Sequence, residues 1–213
     1  MSESQLGFGT EYEKFILRQI VEGMMPRLKV KSICEYPSNN LMGDNSEIFN
    51  GYNLKIERLS EPIPISENRY DLVWNFCETE QSKDPFALID RMLLLTRKYI
   101  LIVLQNKKNF GVLLHKTYHK LTGRTWDHGN IGAMTTELFV KFLARYGKIV
   151  EMDYFDVPWF VLDIYECGSF LRKTIPSQIL ESRTPMKKSW FENTPTFCKS
   201  WLAHHSYILF EKS

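Results

Sequence analysis

The sequence predicts an α/β fold built on a mostly parallel sheet, and three neighbouring stretches carry that expectation. Tyr70-Asp71-Leu72-Val73-Trp74-Asn75-Phe76 is a near-continuous apolar run, the pattern of a strand covered on both faces. Asp84-Pro85 supplies a helix cap followed by proline at the first helical position, and Phe86, Ile89, Met92 and Leu93 then repeat at helical spacing. Tyr99-Ile100-Leu101-Ile102-Val103-Leu104 is a second buried strand. Two buried strands joined by an amphipathic helix form a right-handed parallel crossover, which places residues 70–105 in the middle of the sheet.

The 213 residues suit one domain with a full-sized core. A hydrophobic fraction of 44% with 24% charged residues is that of an ordinary soluble globular protein, and a net charge of +2 does not by itself imply a polyanionic partner. No apolar run approaches the roughly 20 residues that span a bilayer. Met1-Ser2-Glu3-Ser4-Gln5 lacks the basic and apolar parts of a signal peptide, so a cytoplasmic location is expected. Cys34, Cys77, Cys167 and Cys198 are scattered, which fits reduced thiols better than a disulfide framework or a zinc site.

In chain order, Thr10 and Glu13 fit a capping box, and Tyr12, Phe15, Ile16, Ile20 and Met24 form a helical stripe that stops at Pro26. Residues 30–34 read as a short first strand, followed by a turn in which Pro37 fixes φ and Asn39, Asn40 and Gly43 can enter the left-handed region. Residues 54–59 alternate like a strand, and 61–65 form a proline-bearing loop. Beyond Gln105 and Asn106 comes a basic segment with Lys107, Lys108, Lys116, Lys120 and Arg124 against the single acid Asp127. A helix from 110 to 121 sets His115 and His119 on one face, yet no acidic or cysteine ligand accompanies them, and no metal site is expected. The same segment carries Tyr118 and Trp126, and basic residues interleaved with aromatics can also follow a phosphate backbone and stack on bases. Thr135 is a cap for a helix whose Leu138, Phe139, Phe142, Leu143 and Tyr146 face the core and which Gly147 ends. Residues 148–155 and 205–210 are late strands. The expected organisation is one domain over 1–213, with a lid-like insert at 107–133 and a covering insertion at 156–200.

The central unit carries a resemblance. Asp71-Leu72-Val73, the loop Glu80-Gln81-Ser82-Lys83-Asp84-Pro85, and the helix and strand that follow resemble the fourth strand, fourth helix and fifth strand of class I S-adenosylmethionine-dependent methyltransferases of the type 11-like group. That loop often reads Glu-His-x-x-Asp-Pro in the family, and here Gln81 stands at the histidine position. The resemblance implies a Rossmann-like sheet with an antiparallel edge strand, S-adenosylmethionine as cofactor, and a small-molecule or other modest methyl acceptor. It also implies a cofactor site formed by Glu35 and Tyr36 after the first strand, Asn39 and Gly43 in the loop, and Asn75 and Phe76 at the end of the central strand.

The stretch from Gly43 to Tyr70 is too short for the family pattern, so one strand–helix pair is expected to be missing. If 54–59 is the second strand, Glu57 is the implied ribose ligand. The approach Ile63-Pro64-Ile65 favours the third strand instead, and then that ligand is absent. In this family the leading helix can help close the cofactor site, which would bring Phe8, Gly9 and Tyr12 near a ligand. Because Gln81 cannot take a proton, His115, Tyr118 and His119 are the remaining candidates for a base. Three functions stay open: a methyltransferase, a non-catalytic relative that binds a partner protein, and nucleic-acid binding through the basic insert.

Overall fold

A computed structural model describes residues 7–37, 46–60, 69–123, 135–155 and 193–213. Six strands form one sheet: β1 (Ser32–Glu35), β2 (Lys55–Arg58), β3 (Tyr70–Phe76), β4 (Thr96–Gln105), β5 (Gly147–Phe155) and β6 (His205–Lys212). Their spatial order is β2-β1-β3-β4-β6-β5. The four strands β2, β1, β3 and β4 are mutually parallel, while β6 runs antiparallel to both β4 and β5, one strand in from the edge. The helices are α1 (Gly7–Leu28), α2 (Pro85–Leu95), α3 (Phe110–Thr122), α4 (Thr136–Leu143) and α5 (Thr196–Leu202), with a 3-10 turn at Ser46–Phe49.

Both faces of the sheet are covered, as the apolar run at 70–76 requires. On one face Leu17, Val21, Met24 and Leu28 of α1 pack with Ile33, Leu72, Trp74, Leu101 and Val103. Phe49 of the 3-10 turn meets Trp74 edge-on, with ring centroids 5.1 Å apart. On the other face Leu88, Ile89, Met92 and Leu93 of α2 and Phe139 and Leu143 of α4 pack with Val73, Ile100, Ile102 and Phe210. Each such fully buried side chain contributes roughly 1.5–3 kcal/mol of transfer free energy.

Helix α2 is fixed at both ends. Asp84 Oδ1 accepts from the Phe86 and Ala87 backbone N–H groups at 3.1 and 3.0 Å, with Pro85 at the first helical position. At the other end Lys212 Nζ donates to the carbonyls of Leu93 and Thr96, placing a cation where the helix exposes its partial negative charge. Asp71 stitches the opposite edge of the sheet. Its Oδ2 accepts from the Lys31 and Ser32 N–H groups at 2.8 and 3.0 Å, and its Oδ1 accepts from Arg97 Nε at 2.7 Å.

Several expectations need correction. Strand β2 pairs in parallel directly with β1, so residues 54–59 take the second-strand place and not the third. Between β1 and β3 the described residues hold only β2 and the 3-10 turn. Helix α1 begins before Thr10 and continues past Pro26 to Leu28, because a proline in the last turn forfeits only one backbone bond. Helix α4 ends at Leu143, and its Leu138, like Tyr146 after it, is 40% exposed, not a core residue. Gly147 instead starts β5, where an added Cβ would lie 2.2 Å from the Glu211 carbonyl oxygen. The loop residues Asn39, Gly43 and Glu61, part of the lid-like insert, and residues 156–192 of the covering insertion lie outside the described residues. Among the described residues, no helix is long and apolar enough to cross a membrane.

Candidate functional site

Strands β1 to β4 all end at one edge of the sheet, at Arg58, Glu35, Phe76 and Gln105. The chain steps from β1 outward to β2 and then back across to β3, which makes β1/β3 the topological switch point where open α/β sheets bind ligands. Backbone bonds hold the exits of the strands together. The Tyr36 N–H donates to the Trp74 carbonyl at 2.9 Å, that of Leu59 to Glu35 at 3.1 Å, and that of Cys77 to Val103 at 2.9 Å. Cys77 adopts a φ of 55°, a conformation unusual for a residue with a Cβ, and turns the chain sharply out of β3.

That turn opens a cleft of about 330 Å³ between Pro37 and the β3–α2 loop. Glu78, Gln81, Ser82 and Asp84 line it from the loop, and Arg91 of α2 closes its far wall. Gln81 is exposed, so its amide can orient a ligand but cannot take a proton. Beneath the loop lies Glu80, which is buried. Its Oε1 accepts from the Gln105 N–H at 3.0 Å, while Oε2 has no hydrogen-bond partner. Burial, reinforced by the neighbouring Glu78 carboxylate, pushes the Glu80 carboxyl up to about 7.

The residues singled out in the sequence fall in different places. Glu35 is at the edge, but its carboxylate is inside the protein and receives Arg58 Nε at 3.0 Å. Tyr36 is buried in the α2-side core. Glu57 points to the opposite face of β2 from Arg58, and three donors engage its carboxylate. The Tyr70 hydroxyl bonds to it, Lys55 Nζ lies at 2.6 Å and Arg69 at 3.2 Å. Lys55 first and then Tyr70 hold that carboxyl below the usual range.

Asn75 has no exposed surface and faces α2, where its Nδ2 donates to Thr79 Oγ1 at 3.2 Å. Phe76 is buried on the α1 side, 5.5 Å from the ring of His205, which also stacks on Phe155 at 5.4 Å. Asn106 is structural as well, donating to the carbonyls of Ser200 and Ala203 and so fastening α5 to the end of β4. Helix α3 spans 110–122, with Lys116 and Lys120 exposed and His119 half-buried. The side chains of His115 and Tyr118 lie outside the described residues, as do those of Phe8 and Tyr12.

Two residues were not singled out and matter most here. Glu80 was visible as the acid of the Glu-x-x-x-Asp-Pro loop, but no sequence signal announces its burial. Arg58 was visible only as a charge in an alternating strand. The residues around the β1 and β2 ends therefore do not fit the ribose end of the cofactor in the implied way, since no free carboxylate faces it among the described residues.

No protein-family model matches the chain, and no curated protein matches it in sequence. Solved structures do match it in shape. An S-adenosylmethionine-dependent methyltransferase from Thermotoga maritima superposes with a TM-score of 0.51 at 10% identity, covering 98% of each chain. One from Archaeoglobus fulgidus gives 0.50 at 10% identity over 93% of this chain and 94% of the other. Magnesium protoporphyrin IX methyltransferase from Synechocystis PCC 6803, with S-adenosylhomocysteine bound, gives 0.50 at 9% identity over 92% and 83%. The chain has the class I methyltransferase fold. At such identities the likeness is one of fold, and it agrees with the strand order, the reversed β6 and the cleft at the carboxyl edge.

Proposed function

We propose that this chain binds S-adenosylmethionine at the carboxyl edge of β1–β3 and transfers its methyl group to a small-molecule or other modest acceptor. The observation that carries the reading is the cleft at the switch point, bounded by the turn after β1 and the loop after β3, on a sheet with the reversed β6. Such a donor brings an already activated methyl, so holding the acceptor in line supplies much of the rate. Gln81 and Ser82 offer hydrogen bonds for that positioning. No base stands in the cleft in the histidine place, which favours an acceptor that presents a lone pair without losing a proton first. His115, Tyr118 and His119 on α3 remain the candidates where a proton must leave.

A second reading is a non-catalytic relative that keeps the fold and binds a partner protein. Its support is the engaged Glu57 carboxylate together with Gln81. Nucleic-acid binding through the basic segment has less support, because Lys108 pairs with Glu137 and Lys116 and Lys120 form only a short exposed row. Calorimetric titration with S-adenosylmethionine and S-adenosylhomocysteine separates the readings. Saturable binding of both supports the methyltransferase. No binding of either to protein that is folded by circular dichroism refutes it and leaves the non-catalytic relative.

A further inference from the structure

The ribose corner differs from the one the resemblance implies in the sign of its charge. Two adjacent strand ends define it, with Glu35 of β1 opposite Arg58 of β2 in the parallel register. Strand alternation sends Glu57 to the α2 side, where Cys34 is its register partner, and leaves Arg58 on the same side as Glu35. The pair is unequally buried. The Glu35 side chain is 5% exposed and that of Arg58 29%, so the carboxylate is the anchor and the guanidinium is the part that reaches the crevice.

We propose that Arg58, clamped by Glu35, is the group that reads the ribose of the nucleoside cofactor, donating to the ribose hydroxyl oxygens where a carboxylate would accept from them. The inference rests on the adenosyl-cofactor reading above. A guanidinium presents five donors in a rigid plane, so a bond from Nε to Glu35 fixes its orientation while other N–H groups can still point elsewhere. Ribose hydroxyls serve as acceptors as readily as donors, and a bond to a charged group is worth about 1.5–3 kcal/mol in either polarity. Arg58 is then a specificity-determining residue, and Glu35 is its positioning residue.

The test is a chemical double-mutant cycle by calorimetry, with S-adenosylhomocysteine and its 2′-deoxyribose analogue titrated into the parent protein and Arg58→Ala. Arg58→Ala is expected to weaken S-adenosylhomocysteine by about ten- to a hundredfold. Removing the 2′-hydroxyl is expected to cost about tenfold in the parent and nothing in the variant. An arginine that only supports the fold would leave the 2′-hydroxyl penalty unchanged, and that outcome overturns the inference, as does equal affinity of parent and variant.

If Arg58→Ala fails to fold, the double variant Glu35→Gln with Arg58→Gln, which replaces the ion pair by an amide pair, carries the same expectations. Absence of S-adenosylhomocysteine binding in the parent overturns both this inference and the reading on which it rests. Binding that is indifferent to Arg58 overturns the inference alone.

Discussion

Glu80 should make the stability of this protein fall as pH rises through neutrality. Its carboxyl moves from an ordinary 4.5 to about 7 because burial penalises the charge and the Glu78 carboxylate adds repulsion, against bonds from Gln105 and Cys77 that favour the anion. A raised acid binds its proton more tightly folded than unfolded, so between the two values the folded state carries more protons and ΔG of unfolding decreases with pH. The stabilising contribution is whole below about 4.5 and is lost as pH rises to about 7. At about 1.4 kcal/mol per pH unit the full loss is on the order of 3 kcal/mol. Glu80→Gln keeps an acceptor for the Gln105 N–H and removes the titration. The difference in urea-unfolding free energy between variant and parent is the useful quantity, because contributions from other titrating groups cancel in it. Near pH 4 the two proteins should be close. At pH 8 the variant should be more stable by up to about 3 kcal/mol. A difference that stays constant from pH 4 to 8 would refute the account of Glu80 as a buried acid.

Two further expectations concern packing and capping. Gly147→Ala should destabilise the protein by about 3 kcal/mol or more, because the new Cβ would collide with the Glu211 carbonyl and the Phe210 ring, and neither the β6 backbone nor a buried ring can yield cheaply; thermal unfolding by circular dichroism measures it. Asp84→Ala should cost about 1 kcal/mol through loss of the α2 cap. It should also loosen the cleft wall formed by residues 81–84, read as faster amide exchange there than elsewhere.

The centre of the fold was legible in the sequence because independent local signals coincide there. The cap at Asp84, the proline after it and two apolar runs point to the same strand–helix–strand unit, and β3, α2 and β4 follow from them. Where one residue type serves two physical purposes, the sequence was ambiguous. Gly147 resembles a helix stop, yet its glycine is required by the close approach of β6. The first three residues of β4, Thr96, Arg97 and Lys98, hide the strand start because two of them are exposed and charged. Thr10 and Glu13 match a capping box, but α1 had already begun at Gly7, so a local motif lost to the longer helix.

The candidate site was less legible, and the ends of β1 and β2 show why. A resemblance selects a ribose ligand by chemistry, and Glu57 is an acid in roughly the right place. The sheet selects by parity, because successive side chains of a strand lie on opposite faces. One position therefore separates a carboxylate held among Lys55, Arg69 and Tyr70 from a guanidinium at the crevice. Only the register of β2 against β1 decides between them, and the masked-by-alternation pattern of 54–59 holds no information on which neighbour it has. The same register couples Glu35 to Arg58. Removing the cation alone leaves a buried carboxylate without its charged partner, a loss on the order of 3–5 kcal/mol for a fully buried pair and less for one whose arginine is partly exposed. A change of ligand at this corner thus requires both residues to change together. This is why the amide double variant, and not a single charge reversal, is the substitution that can report on ligand recognition without reporting mainly on the cost of an orphaned charge.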